Sequence, residues 1–459
     1  MTASSPLPSP VASTEAADLA TLAEKAGTTF VLALFVDLDG KPCAKLVPVE
    51  SVDELSTNGV GFAGYAVGSI GQEPRDPDLM AIPDPASFTP VPFVKEGLAI
   101  VHCDPHVEGK PWPFAPRVIL RTMLARLAST QGLEARVGAE VEYFLLRREA
   151  DGSLVTADPG DRSARPCYDA RGVTRMYEHL AAVSRAMNEL GWGNYANDHE
   201  DGNGQFEQNF DYADALTTAD RVISLRYLIS MLAHERDMVA TFMPKPFADR
   251  TGSGLHLHLS LWRDGESTFP VGDGATDPRG LGLSPTAYSF AAGILEHASA
   301  LQAVLGPSVN SYKRTGAVST TSGASWAPRL PTYGGNDRTH FLRIPDHHRI
   351  ELRGGDGSAN PYLAIAAALG AGLDGIERDL DPGSVGGDNG VTRAPLPRTL
   401  LHAVEALEAD PVVTGSLDLA GLGDGHRVAA YFAERKREEF FDFHAQVSGW
   451  EIDRYLTAF

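Results

Sequence analysis

Hydrophobic and polar positions alternate in four stretches of the chain, and in each the polar face carries charge that a buried strand does not tolerate alone. Over Leu255–Leu261 the leucines 255, 257, 259 and 261 share one face, while His256, His258 and Ser260 share the other. The segment Gly252-Ser253-Gly254 leads into this strand and suits a turn where backbone approaches a ligand closely. In Gly138–Leu146, Glu140, Glu142 and Phe144 alternate with Ala139, Val141 and Tyr143. In Glu200–Phe210, Gln205, Glu207 and Asn209 alternate with Phe206, Gln208 and Phe210. In Arg349–Arg353, the charged residues 349, 351 and 353 flank Ile350 and Leu352. A single half-solvated strand would look the same. Four together indicate a shared site, where cations neutralise the carboxylates and an anionic substrate neutralises the arginines.

The remaining pattern gives a mixed architecture. Thr28–Leu38 reads as a strand, Asp39-Gly40 as a hairpin turn and Cys43–Val49 as the return strand. Gly59–Gly71 reads as a Gly-rich loop that lacks the Gly-Lys-Ser/Thr of a phosphate loop, and Asp76–Pro92 as irregular chain. Leu98–Cys103 is a further strand, and the Pro-rich Gly109–Pro116 is the expected junction between a small N-terminal β-rich domain and a larger α/β domain. Helices are expected over Arg117–Leu127, over Val173–Leu190, from a Thr217-x-x-Asp220 start to about His234, over Ala287–Leu305, and from an Asn360 cap to about Arg378. Asp151–Tyr168 and the Gly/Pro/Asp-rich Asp381–Arg398 read as loops, the latter mobile, and His426–Phe459 as a charged, aromatic-dotted helical tail.

Composition narrows the partners. The 459 residues are 43% hydrophobic, enough for a large core, and length alone suggests about two to four domains. A net charge of −21 without a basic run argues against nucleic acid and anionic membrane as partners. Three scattered cysteines, 43, 103 and 167, fit a reducing cytoplasm and offer no Cys-x-x-Cys zinc site. Residues 1–15 are Ser/Pro/Ala-rich, are expected to be disordered and lack the pattern of a signal peptide, and no apolar run is long enough to span a membrane.

With these motifs in place, the chain resembles the glutamine synthetase family over nearly its whole length after the first 20 or so residues. The resemblance rests on Gly138-Ala-Glu-Val-Glu-Tyr-Phe144, Thr241-Phe-Met-Pro-Lys-Pro246, Gly252-Ser-Gly-Leu-His-Leu-His258, Asn310-Ser-Tyr-Lys-Arg314, Leu342-Arg-Ile-Pro345, Arg349-Ile-Glu-Leu-Arg353 and Asn360-Pro-Tyr362, in that family's order. It implies an α+β fold: a tail over 1–20, a small β-grasp domain over 21–112, and a catalytic domain over 113–459 whose curved antiparallel sheet forms a half-barrel flanked by helices. It also implies a ring oligomer, typically a double hexamer, with active sites at subunit interfaces. ATP is the implied co-substrate, with two or more Mg²⁺ or Mn²⁺ ions, one held by Glu142, Glu200 and Glu207 and the other by Glu140, His256 and Glu351. Carboxylates with a single imidazole suit those metals rather than zinc. The nucleotide would fall to His258, Ser260, Arg338, Arg343 and Arg349, and glutamate to Gly252, Arg314 and Arg353. The catalytic roles implied are those of Arg338 and Arg353 on the developing oxyanion and of Glu351 on metal. The reaction is ATP-dependent activation of glutamate as γ-glutamyl phosphate, then attack by an amine.

The chain departs from the ammonia-using members at the acceptor side. Their flap glutamate is replaced in Thr321–Pro328 by Trp326, and the aspartate of their N-terminal loop by Ala66 within Tyr65–Gly71. Ammonium needs anions in place of its water, so this exchange favours an amine with a carbon tail, with Trp326 walling its pocket. The expected product is therefore a γ-glutamylalkylamide, methylamine being the first acceptor to test, as in the γ-glutamylmethylamide synthetases. Glutamine synthesis from ammonia is the rival, and ethanolamine or a polyamine comes third. A catalytically dead relative would lose metal ligands that this chain keeps. A guanidino kinase, which shares the catalytic fold, would not carry the full motif set. Asp381–Arg398 lacks the tyrosine that many bacterial members adenylylate.

Overall fold

The computed structural model describes residues 18–272, 274–316, 320–387, 393–421 and 425–459. Most of the expected N-terminal tail, and residues 388–392 of the expected mobile loop, lie outside them.

The first sheet is built around the expected hairpin. Phe30–Val36 pairs antiparallel with Pro42–Pro48, and parallel with Leu98–Val107 on its other side. Leu79–Pro83 and then Val60–Phe62 complete the order. These last two strands arise inside segments whose sequence reads as irregular. Glycines and prolines hide the alternation there, yet Leu79 and Ala81 are fully buried. The Gly-rich segment also holds a short helix, Gly64–Val67. Alternation along Phe30–Val36 feeds two cores. Val31, Ala33 and Phe35 pack with Leu19, Leu55 and Ile70, whereas Leu34 and Val36 join the main core of the chain.

Among the described residues the second sheet has 11 strands. Its main path runs Ala196–His199, Gln205–Asn209, Glu134–Arg148, Leu255–Arg263, Arg349–Leu352, Leu342–Asp346 and Tyr333–Gly334, antiparallel except for the last pair. One face is apolar: Val137, Val141, Leu255, Leu257, Leu259, Leu261, Ile350 and Leu352 are at most 1% exposed and meet the helices. The helical layer centres on Pro361–Glu377, capped by Asn360 Oδ1, which accepts from the Tyr362 N–H at 3.1 Å. It packs against Pro285–Glu296 and Pro116–Gln131. The architecture is α+β.

Three helix expectations change in detail. The run over Val173–Leu190 is two helices, Ala170–Arg175 and Tyr177–Glu189, broken at Met176. The run over Ala287–Leu305 breaks at His297, whose ring bonds Asp410 at 2.6 Å and Asp374 at 3.0 Å. The helix Ala215–His234 starts from Asp214, whose carboxylate accepts from the Thr217 N–H. Asp220, the expected capping-box acid, is instead buried and accepts from Arg117 at 3.0 Å. Arg117 also donates to Asp84 and Asp104, so one buried guanidinium ties the first sheet to the helices.

Candidate active site

Register converts the four polar strand faces into one surface. Asp198, Glu207 and Glu142 lie side by side across three neighbouring strands. One step along, Asn209, Glu140 and His256 form a second row. A third row is His258, Glu351 and Arg343. Side chains directly opposite across strands sit close enough to interact, so each row is a chain of contacts. His256 Nδ1 and His258 Nε2 bond the two oxygens of Glu140, both at 2.8 Å. Arg343 Nη1 donates to Glu351 at 2.6 Å, and Arg353 Nη1 donates to the other Glu351 oxygen.

The acids outnumber the cations beside them. Burial, with Glu142 and Asp198 nearby, pushes the Glu200 carboxyl up to about 8. Burial and then Glu140, Glu200 and Glu142 push Glu207 well above its ordinary range. Burial also opposes ionisation of Glu140, but the hydrogen bonds from His256 and His258 outweigh it and hold that carboxyl well below its usual value. One set of ligand atoms, from Glu140, Glu207 and His256, lies within 4.8 Å of one another, as does a second set from Glu140, His258 and Glu351. His256 Nε2 and His258 Nδ1 are buried without a hydrogen-bond partner among the described residues. Oxygen-rich clusters with orphaned imidazole nitrogens fit hard divalent cations, which would replace the protons on Glu200 and Glu207. The two sets share Glu140 and draw in His258, which the sequence assigns to nucleotide. Glu142 accepts from Gln205 Nε2 at 3.0 Å and from the Gly254 N–H at 2.8 Å.

The acidic surface floors a cavity of about 970 Å³. Gly252, Arg314, Arg338, Arg343, Arg349 and Arg353 all line it. Arg314 is 3% exposed, with Nε and Nη1 unpartnered among the described residues. The glycine turn makes room for it. A Cβ on Gly252 would fall 2.3 Å from the Pro244 carbonyl, and one on Gly254 about 3.0 Å from Arg314 Nη2 and 2.9 Å from His256 Nε2. A second cavity of about 400 Å³ shares Glu140, Tyr195, His258 and Arg349 with the first. It adds Ser260, Tyr212 and Trp262, an aromatic-walled slot of the kind a nucleobase fills. Every sequence-selected residue except the fully buried Glu351 lines one or both of these two cavities.

Trp326 lines the large cavity, is 47% exposed as a residue, and has a left-handed backbone (φ 55°). Two acids of this region escape the sequence pattern of site residues. Asp198 lines the cavity opposite Glu207, and burial with Glu140 lifts its carboxyl above the ordinary range. Its signal was present, because the alternation of the acidic stretch continues upstream of Glu200. Asp201 is 6% exposed and accepts from Trp326 Nε1 at 2.8 Å. No local pattern reveals that contact.

Comparison with known proteins points to the family that the motifs resemble. Residues 113–455 match the family model "Glutamine synthetase, catalytic domain". A glutamate–methylamine ligase of Methyloversatilis universalis is 39% identical over 441 residues, 94% of this chain and 96% of that protein. A glutamine synthetase of Rhizobium leguminosarum bv. phaseoli is also 39% identical, over 96% of this chain and 99% of its own length. A solved structure described as a GmaS/ADP complex superposes with a TM-score of 0.88 at 47% identity, covering 96% of this chain and 99% of that one. An apo GmaS structure gives 0.86 at 46% identity, with 96% and 100% covered. The motifs, the acidic strand rows and these matches together establish that the chain belongs to the glutamine synthetase family.

Proposed function

We propose that the protein is an ATP-dependent ligase that joins L-glutamate to a small primary amine, methylamine in preference to ammonia, through γ-glutamyl phosphate. The observation that carries the choice of amine is the lining of the large cavity, to which the Trp326 indole and the Asp198 carboxyl both contribute. An alkylammonium ion needs one anion for its nitrogen and an apolar wall for its carbon, and that pair supplies both. The glutamate–methylamine ligase of M. universalis supports the reading, although a glutamine synthetase matches at equal identity.

In this reading Arg314 and the Gly252 backbone hold glutamate, and Arg338, Arg343 and Arg349 hold the ATP phosphates. The γ-carboxylate attacks the γ-phosphorus and ADP leaves. The amine nitrogen then attacks the acyl carbon and phosphate leaves. Arg338 and Arg353 stabilise the developing oxyanion. Asp198 is our candidate to take the proton the ammonium loses. Two divalent ions, when held by Glu140, Glu142, Glu200, Glu207, His256 and Glu351, neutralise the charge that phosphate and carboxylate bring together. We further propose a cytoplasmic ring oligomer, a β-grasp domain over 21–112 and a catalytic domain over 113–459. The ring is supported by apolar residues left exposed on the C-terminal helices, among them Phe441, Phe443, Trp450 and Ile452. The cytoplasm is supported by three free cysteines. No helix among the described residues is long and apolar enough to cross a membrane.

The test is phosphate release from ATP with glutamate and Mg²⁺ or Mn²⁺, comparing ammonia, methylamine, ethylamine, ethanolamine and putrescine. We expect kcat/KM for methylamine to exceed that for ammonia by at least about tenfold. A preference for ammonia would make the protein a glutamine synthetase with a rearranged ammonium site.

The acidic rows give a second expectation. The Glu200 carboxyl rises from its usual 4.5 to about 8 on folding. Without metal, that stability is fully present below 4.5 and is lost as pH rises through 8, because the unfolded chain ionises first. Divalent cations displace the proton, so they bind more tightly as pH rises. The increase in Tm produced by a fixed excess of Mg²⁺ or Mn²⁺ should therefore be larger at pH 8 than at pH 6. An increment that is flat with pH would separate these carboxylates from metal binding.

A further inference from the structure

We infer that Asp201 is a positioning residue that latches the Trp326 segment over the amine side of the cavity, and so sets amine selection. The inference rests on the ligase reading above. One oxygen of Asp201 gathers donors from two directions. Thr251 Oγ1, from the turn that leads into the glycine segment, donates to it at 3.1 Å. Trp326 Nε1 donates at 2.8 Å, and the Ser322 hydroxyl donates to the same oxygen. The Asp201 backbone N–H meanwhile points at Glu200 Oε2, at 3.3 Å. A single residue therefore joins the acidic floor, the turn beside Gly252 and the segment that carries the indole.

Three features make this a device rather than a casual surface contact. Asp201 is 6% exposed, so its bonds form away from bulk water, where hydrogen bonds to a charged acceptor are strong. Trp326 holds a left-handed backbone, a conformation a bulky residue keeps only where its surroundings fix it. The segment is also pinned through its main chain, because the Thr321 N–H donates to the Asp249 carbonyl at 2.8 Å. The indole is then fixed in direction by the one polar atom it has. A ring so aimed excludes water from the acyl phosphate and leaves a defined space for a short alkyl group. Released, it would turn, admit water and lose its hold on the amine. Asp201 touches neither ATP nor glutamate in this scheme, so its effect should be confined to the second half of the reaction.

Asp201→Ala, Trp326→Phe and the double variant test this, with Asp201→Asn as the conservative partner. Trp326→Phe keeps a ring but deletes the N–H, on an exposed segment where folding is not at stake. We expect each single variant to raise the KM for methylamine by about tenfold, and the double variant to add little to either. The KM values for ATP and glutamate should stay within about twofold, and ATP hydrolysis with glutamate but no amine should rise. Asp201→Asn, which can still accept from the indole, should recover most of the loss. Equal rises in all three KM values, or additive single effects, would reduce Asp201 to a structural acid and overturn the inference. If the native protein prefers ammonia, the methylamine reading falls. The same coupling measured with ammonia then decides the latch on its own.

Discussion

Replacing Glu351 with alanine should lower kcat for glutamate-dependent phosphate release by about three orders of magnitude or more. Glu351 is fully buried, between His258 on one neighbouring strand and Arg343 on the other. Burial resists its ionisation, but His256 and Arg353 outweigh that and keep its carboxyl below the ordinary range. It is therefore an anion at neutral pH, in reach of the histidine nitrogens and able to hold a cation. Alanine removes more than a ligand, because Arg343 and Arg353 both donate to this carboxylate and would be left facing each other. Breaking a buried pair from one side is strongly destabilising, so the alanine variant should also melt earlier. Glu351→Gln separates the two effects. It keeps the shape and one acceptor oxygen for the arginines but gives up the charge a divalent ion needs. We expect the glutamine variant, which turns an amide N–H2 towards one of the two arginines, to melt between the native protein and the alanine variant, and to lose turnover together with the metal-induced rise in Tm. Native turnover in Glu351→Gln would remove Glu351 from the metal site.

The polar rows were legible because a strand has a period of two and its register brings like positions side by side. Glu140, Glu142, His256, His258 and Glu351 could be read as one surface before any contact was known, since each alternates with residues that are now seen to be core. The hairpin over residues 30–48 was legible for the same reason, with Asp39-Gly40 marking its turn. What could not be read depends on groups far apart in sequence. Leu79–Pro83 is a strand because Leu98–Val107 supplies its partner, not because of its own proline-rich surroundings. The break at His297 follows from Asp374 and Asp410, which come more than 70 residues later. The absence of acids in the Tyr65–Gly71 and Thr321–Pro328 windows suggested an acceptor side without carboxylates. Asp198 and Asp201 come instead from the strand and turn around Glu200, a segment whose acids had all been allotted to metal or left unread.

Arg314→Met should raise the KM for glutamate by about a hundredfold, with no loss of thermal stability. Arg314 sits on the short helix Ser311–Thr315, 3% exposed, and its Nε and Nη1 have no partner among the described residues. Burial pushes its pKa down from the usual arginine value, and Asp356 and Glu142 offset this only in part. Asp356 does not depend on Arg314 for its own bonds, because the Ser358 N–H and hydroxyl donate to it at 2.9 and 2.6 Å. The protein thus holds a buried cation that its own anions leave incompletely paired, beside a glycine turn with no room for a side chain. Such a group costs stability in the free protein and returns it when an anionic ligand arrives. Methionine fills similar volume without the charge, so the free protein should melt no earlier than the native one. Arg314→Lys should fall between the two, since an ammonium keeps the charge but loses the two-pronged geometry that matches a carboxylate. Nucleotide affinity measured without glutamate should be unchanged in both variants. A fall in Tm with equal losses for glutamate and nucleotide would mean that Arg314 supports the fold. A glutamate-specific loss with Tm intact would identify it as the group whose charge waits for substrate.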